Sequence, residues 1–553
     1  MSEIAIVKIR SGQDIEYQIP PGLETVLRLT GQDSLISRIR RNAGQAYMPQ
    51  LVLPYLSGMG HAYNEQHHQR HEFTLIDQTE ERVDLAGFDL ALFTASTTNA
   101  LATYRVSDRL RDRGVPTVIG GIHPTIVPRE AAAHATAVAT GEAEDTLFDV
   151  LADLDGGRPL QRLYKGGRRV PLEQISTPRW QDARVDDYAP WVVPVQTSRG
   201  CHNACNFCST TLMQGHRRRH RPVAEVVEEI RALQKQGVIA PGKTVFFTDN
   251  NIVYDADHRR GVRDARYSKE LFRALRPLGI TWVGQGEIGV ADDPELVELM
   301  ARSGCYMLLV GLESVTQSSV EGTGKRCNTV ASYERSITTL RRHGISLIGC
   351  FIMGLDGDGP ESFEATRQFI DDWIDVPQLS TMTPFPGTAL YHRLKREGRL
   401  LHEDWSRYDL THVVHRPLRM SAGELAERFN DLNRDIYSYP KIVKRALRMT
   451  CRRTVTDRPS RTTMSRFTGI LIPNIVYRGL SRVGQQDREA MASTPALLAQ
   501  PDAQSTAAPR PPGRPAEIPS TADPMPRHLD PAAHNPSSQN PAVHKPSPSN
   551  TAA

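Results

Sequence analysis

The 553-residue sequence has little that marks a membrane or secreted protein. No run of about 18 apolar residues is present, so no transmembrane helix is expected. The start, MSEIAIVKIRSGQDIEYQ, carries charges that interrupt any apolar core a signal or transit peptide needs. Seven cysteines are too few for a disulfide framework in so long a chain, and Cys305, Cys327, Cys350 and Cys451 each stand alone. A reducing cytoplasm is the expected compartment. Net charge is also small, +4 from 67 basic and 63 acidic residues, so nothing global points to nucleic acid. Aromatic residues vanish toward the C-terminus: Thr494–Ala553 holds 14 prolines and no Phe, Trp or Tyr. Such a segment cannot bury enough apolar surface to offset its ordering entropy, and a disordered tail is expected over 486–553.

What is present begins with alternation. The stretches 48–58 (MPQLVLPYLSG), 71–79 (HEFTLIDQT), 88–97 (FDLALFTAST), 115–125 (VPTVIGGIHPT) and 135–144 (ATAVATGEAE) read as strands, and NALATYRVSDRLRDRG between two of them reads as a helix with a Gly stop. Strands alternating with helices imply a parallel, doubly wound sheet whose ligands bind beyond the carboxyl ends of the strands. The turns GGIHPT and TGEAE would lie there. Their glycines allow close approach of a bulky ligand, and an ordinary tight turn at Gly120 and Gly121 is the competing reading. The residues before this sheet, AIVKIRSGQDIEYQIP, suggest a hairpin around Ser11-Gly12.

A second series follows, with strand-like runs at 191–198, 243–251, 280–288, 305–314, 345–356 and 378–387, separated by amphipathic segments such as RPVAEVVEEIRALQKQG. Six strand–helix repeats suggest a partial (βα) barrel, with its chemistry at the C-terminal strand ends. The loop after the first of these strands contains Cys201, Cys205 and Cys208, spaced C-x-x-x-C-x-x-C. Structural zinc uses four ligands, commonly as two close pairs, and no second pair exists, although His202, His216 or His220 could be recruited. A 4Fe-4S cluster takes three thiolates and leaves one iron open, which fits this spacing and position better. The nearby RRRHR (217–221) reads as a solvated basic turn, with attraction of an anion as the alternative.

The motif GCHNACNFCS resembles the signature of radical S-adenosylmethionine (radical SAM) enzymes. GGIHPT, TGEAE, HRPVAEVVEEI, FTDNNI, VGQGEIGVADDPELVELMARSGC, GLES, FIMGLDGD and TPFPGTALYHRLKREGRLLHEDW extend the resemblance, in order, to their cobalamin-binding subgroup, including hopanoid C-2 methylase-like, lipid-related members. The resemblance implies an α/β architecture: an N-terminal extension (1–45), a Rossmann-like cobalamin-binding domain (46–160), a partial (βα)6 barrel (185–390), a mostly helical extension (391–485) and the tail. It further implies that Cys201, Cys205 and Cys208 ligate a 4Fe-4S cluster whose open iron takes S-adenosylmethionine. Phe207 would lie by the adenine, and Asp249, Asn250, Asn251, Gln285 and Glu313 would line the same pocket. Gly120, Gly121, His123, Gly141 and Glu142 would lie near the corrin. Asn250 stands where relatives are expected to have Asp, and the following loop is longer than usual. No D-x-H-x-x-G motif is present, so no histidine of that type ligates cobalt from below, and His123 is expected to be a loop residue rather than an axial ligand.

In methylases of this kind, methylcobalamin donates a methyl group to a substrate carbon radical created by the 5′-deoxyadenosyl radical. The resemblance thus implies carbon methylation of a small molecule or lipid, with an electron donor such as flavodoxin or ferredoxin. A radical cyclase or oxidoreductase and a non-enzymatic cobalamin or iron–sulfur binding protein are the alternatives. A methylthiotransferase is set aside because no cysteine precedes Cys201. Peripheral membrane contact through SRFTGILIPNIVYRGLSR (465–482) competes with an ordinary packed helix or strand there.

Overall fold

The fold was analysed in a computed structural model, which describes residues 2–10, 50–183, 192–257, 262–450 and 467–481, a few single positions apart. The chain divides into residues 1–500 and 501–553, and the expected tail lies outside the described residues.

The first sheet starts with β1 (Glu3–Arg10), a strand with an almost unbroken apolar run. Ile4 and Ile6 face one core with Leu53, Met59, Tyr63 and Leu151, whereas Ala5, Val7 and Ile9 face another with Tyr104, Val106 and Leu110. A strand buried on both faces belongs in the middle of a parallel sheet. It lies there, paired in parallel with β2 (Glu72–Thr79) on one edge and β3 (Leu90–Thr94) on the other. Residues 3–10 thus belong to the sheet rather than to a separate extension, and the expected turn at Ser11-Gly12 with the residues after it lies outside the described residues. β4 (Thr117–Gly120), β5 (Ala137–Thr140) and β6 (Leu163–Lys165) complete the order β2-β1-β3-β4-β5-β6.

Residues 48–58, expected as a strand, supply instead the start of α1 (Val52–His67). A short apolar run cannot be told from a buried helix by periodicity, and here Leu53 through Gly60 are all buried. Gly58 has no room for a side chain, since a Cβ there would lie 2.2 Å from the Thr177 carbonyl oxygen. α1 and α3 (Leu147–Asp155) cover one face of the sheet, and α2 (Ala100–Asp112) the other.

All six strands expected for the second sheet form, in sequence order and all parallel: β7 (Val192–Val195), β8 (Thr244–Phe247), β9 (Thr281–Gly286), β10 (Cys305–Glu313), β11 (Ser346–Met353) and β12 (Val376–Thr381). β7 and β12 do not pair, so the barrel is open. Its outer helices include α4 (Val223–Lys235), α5 (Arg266–Leu275), α6 (Pro294–Ser303), α7 (Tyr333–Arg342) and α8 (Pro360–Trp373). The C-terminal extension contributes α9 (Ala389–Arg396), α10 (Ala422–Ile436), α11 (Tyr439–Thr450) and helical residues 469–479. That last helix packs inward: Ile470 and Leu471 are buried, Asn474 donates to the Asp375 carbonyl at 3.0 Å, and Tyr477 donates to Gln378 at 3.0 Å. Its apolar side thus packs against the barrel base.

Candidate active site at the strand ends

The three cysteines sit in a loop with a closed base. After β7, Ser198–Arg199 pairs antiparallel with Arg219–His220, and residues 200–218 project from this two-rung ladder. Gly200, at φ +94°, turns the chain out of the ladder, and a Cβ there would lie 2.3 Å from the Arg217 carbonyl oxygen. Asp249, fully buried, accepts from the Thr197 backbone at 3.1 Å, from the Thr197 hydroxyl at 2.6 Å and from the Ser198 hydroxyl. Its carboxylate is thus spent on the strand-to-loop transition rather than turned to a ligand. Asn250 donates to Gln214 at 2.7 Å, and the same Gln214 oxygen accepts from the Gly200 amide at 3.1 Å. Asn250 therefore braces the far side of the loop.

The thiols of Cys201, Cys205 and Cys208 are half-buried. Burial pushes the Cys201 and Cys205 thiols up, and the buried Lys325 ammonium opposes that rise. Lys325 donates to the Gly311 carbonyl at 2.6 Å and to Glu313 at 2.7 Å. Among the described residues no group of three His, Cys, Asp or Glu side chains is arranged around a single point as for one ion. Three spread thiols beside a buried cation suit a cluster, which distributes its ligands over separate irons and carries negative charge.

Glu287, missed in the sequence, is the hub of this site. It is 3% exposed and accepts from His202 at 2.6 Å, Asn203 at 3.0 Å and Asn251 at 2.7 Å, tying the cysteine loop to the ends of β8 and β9. Burial pushes its carboxyl up, but His202 and Asn203 more than offset this and hold it below the usual carboxylate range. Its signal was its place two residues after Gln285, on the same strand end. Gln285 is half-buried at the end of β9, and Glu313 ends β10 at φ +67°, beside a register shift. Cys327 and Cys350 feel the Lys325 charge from the same region, and burial pushes Cys327 to about 12. The amino, carboxylate and hydroxyl groups of S-adenosylmethionine would find at these strand ends a carboxylate, an amide and a cation. Phe207, expected near the adenine, packs its ring with Leu355, Met382 and Leu390.

The first domain's candidates behave differently. Gly121, at φ +105°, is pressed against β3, and a Cβ there would lie 2.6 Å from the Ala95 carbonyl oxygen. Gly141 packs on the Gly166 backbone, whereas Gly120 has only ordinary contacts around it. His123 is fully buried, with Nδ1 3.3 Å from the Thr97 hydroxyl and Nε2 3.2 Å from Glu130, which also accepts from the Trp405 indole at 3.0 Å. Both ring nitrogens serve this link to the C-terminal extension, so His123 offers none to cobalt.

Glu142 is 4% exposed and pairs with Arg219, at 2.9 Å by its second contact, and with Arg199 at 3.7 Å. Glu144 pairs with Arg199 at 2.7 Å and accepts from the Tyr55 hydroxyl at 2.5 Å. The RRRHR turn is thus not solvated beyond Arg217. Arg218 donates to Ser198 at 2.9 Å, His220 meets Asp255 at 3.0 Å, and Arg221 pairs with buried Glu229. Its charges find partners that are distant in sequence, which composition could not show.

Cavities flank this junction. One of about 350 Å³ lies between Leu51, Tyr55, Leu56 and Glu144 of the first domain and Pro194, Gln196, Met213 and Gln214 of the barrel. Another of about 620 Å³ runs along Met59, Phe148, Arg169 and Val170, and the two share Glu144. The first cavity has mainly apolar walls, with Glu142, Arg199, Arg221, Glu229 and several amides also lining it, and the second is about half polar; an amide-fringed macrocycle such as cobalamin would find hydrogen-bonding partners there, with no histidine from His123.

Comparison with known proteins agrees with this construction. The B12 binding domain profile matches residues 47–151, that of the radical SAM superfamily residues 195–370, and a domain of unknown function residues 388–485. The chain is 32% identical to the bacteriochlorophyllide d C-12(1)-methyltransferase of Chlorobaculum tepidum, over 66% of this chain and 77% of that protein. It is 24% identical to the hopanoid C-2 methylase of Rhodopseudomonas palustris over 54% of this chain and 55% of that one. A radical S-adenosylmethionine methyltransferase of Kitasatospora setae, solved with cobalamin and a 4Fe-4S cluster bound, shares the fold at TM-score 0.55 and 16% identity, covering 89% of this chain and all of that one. The cofactors of the present chain are a 4Fe-4S cluster, S-adenosylmethionine and cobalamin, and it belongs to the cobalamin-dependent radical SAM methyltransferases.

Proposed function

We propose that the protein methylates an unactivated carbon of a polycyclic, largely apolar small molecule, taking the methyl group from S-adenosylmethionine by way of cobalamin. The observation that carries this reading is the meeting of the two sheets' loop ends, TGEAE and the cysteine loop, around buried ion pairs with a mainly apolar cavity beside them. When bound, S-adenosylmethionine on the reduced cluster supplies a hydrogen-abstracting carbon radical, and cobalamin supplies the methyl group. The chain's own residues do the rest. Cys201, Cys205 and Cys208 hold the cluster, and Glu287 keeps their loop against the strand ends. Lys325 and Glu313 place a buried ion pair beside it. Leu51, Leu56, Ile175, Pro178, Pro194 and Met213 supply the apolar part of the neighbouring cavity, which Glu142, Glu144 and Arg199 also line. Bacteriochlorophyllides and hopanoids, the substrates named for the two relatives, are both extended ring systems, and they support this choice of substrate class. An electron donor such as flavodoxin or ferredoxin and a cytoplasmic location belong to the same reading.

The test is an anaerobic incubation of the reconstituted protein with methyl-labelled S-adenosylmethionine, a reductant and either a bacteriochlorophyllide or a hopanoid. Labelled product with one added methyl group is expected. An unlabelled, dehydrogenated or cyclised product would point to the cyclase or oxidoreductase alternative, and absence of 5′-deoxyadenosine would point to a binding protein.

A further inference from the structure

The base of the cysteine loop is electrostatically incomplete within its own domain. Arg199 and Arg219 are direct partners on the two-rung ladder that closes it. Like charges directly opposite on paired strands repel, and two rungs alone are marginal. The counter-charges come from the other domain. Glu142 touches both guanidinium groups, and Glu144 touches Arg199, whose guanidinium also lies 5.2 Å over the Tyr55 ring. The side chains of the two arginines are 9% and 14% exposed and that of Glu142 is 3%, so water screens them little, and removing one partner strands a buried charge. Arg199 lies two residues before Cys201, and Glu142 directly follows Gly141, which is wedged at φ +82° against the Gly166 backbone. The acidic loop therefore cannot slide without disturbing the foot of the cysteine loop.

We propose that Glu142 and Glu144 are positioning residues: through Arg199 and Arg219 they set the register between the cobalamin-side loop and the cluster loop, so that radical generation and methyl supply stay coupled. This rests on the reading under Proposed function. Glu142 and Glu144 also line the cavity at this junction, and the positioning role proposed for them is the one exerted through the arginines.

The experiment uses the full-length protein reconstituted with iron, sulfide and cobalamin, unaltered and as Arg219→Ala, Arg219→Lys and Glu142→Gln. Titanium citrate supplies the electrons that reduce cobalt, and methyl-labelled S-adenosylmethionine gives up its methyl as S-adenosylhomocysteine forms. Arg219→Ala is expected to speed amide hydrogen exchange over residues 137–146, in the other domain, in the protein before reconstitution. After reconstitution it keeps iron and cobalamin contents, while the ratio of label on cobalamin to 5′-deoxyadenosine falls by about 10- to 100-fold, the scale of a displacement near 1 Å. Glu142→Gln should match it, and Arg219→Lys should fall between. Exchange over 137–146 and a product ratio equal to those of the unaltered protein would overturn the proposal. So would exchange raised throughout with the iron lost, which marks a purely structural role. If the unaltered protein places no label on cobalamin, the proposed function fails, and the exchange comparison still decides the positioning role.

Discussion

The strand ends of the two sheets carry similar sequence signals, yet they use them differently. In the first sheet, Gly121, His123, Gly141 and Glu142 are consumed by the protein itself: a glycine pressed on Ala95, a histidine engaged at both nitrogens, a glycine against Gly166 and a carboxylate held by arginines. In the barrel, the strand ends keep a buried cation, carboxylates and three half-buried thiols together. In both sheets the strand-end polar groups are paired within the protein, and what sets the barrel apart is that such pairs stand beside three half-buried thiols. Asp249 makes the same point within the barrel, because Thr197 and Ser198 take its oxygens.

The contrast can be broken first at the thiols. Cys205→Ala should abolish both cluster formation and 5′-deoxyadenosine production, read as iron content and product after anaerobic reconstitution. Retained deoxyadenosine in an iron-free variant would remove the barrel site altogether. A smaller effect is expected at Lys325. Lys325→Met leaves Glu313, 5% exposed, without its cation, at a cost of about 3–5 kcal/mol at that site. Thermal unfolding should shift down, and KM for S-adenosylmethionine should rise; an unchanged KM with a lowered Tm would make the pair structural and narrow the difference between the sheets. The smallest effect belongs to the first sheet. His123→Gln can keep one of the contacts to Thr97 and Glu130, and it should leave the cobalamin stoichiometry and the visible spectrum of the bound cofactor unchanged while lowering stability by about 1 kcal/mol, the scale of a lost hydrogen bond. A changed cobalt spectrum would return His123 to the cofactor.

Much of this protein was legible in the chain alone. Strand-like runs alternating with helical segments implied two parallel sheets, and all six barrel strands follow from that pattern. The spacing of Cys201, Cys205 and Cys208 after the first of them set the chemistry. Local pattern failed where length and partners were ambiguous: residues 48–58 are as apolar as a strand but continue to His67 as a buried helix, and β1 looked like an appendage until its two neighbours were seen. Tertiary structure alone decided which charges meet. Arg219 lies 77 residues from Glu142, and Glu287 lies 84 from Asn203. Sequence periodicity reports which face of an element is buried, but the pairing of buried charges depends on how separate elements close in space, and that is where Glu287, Lys325 and the Glu142–Arg219 junction became visible.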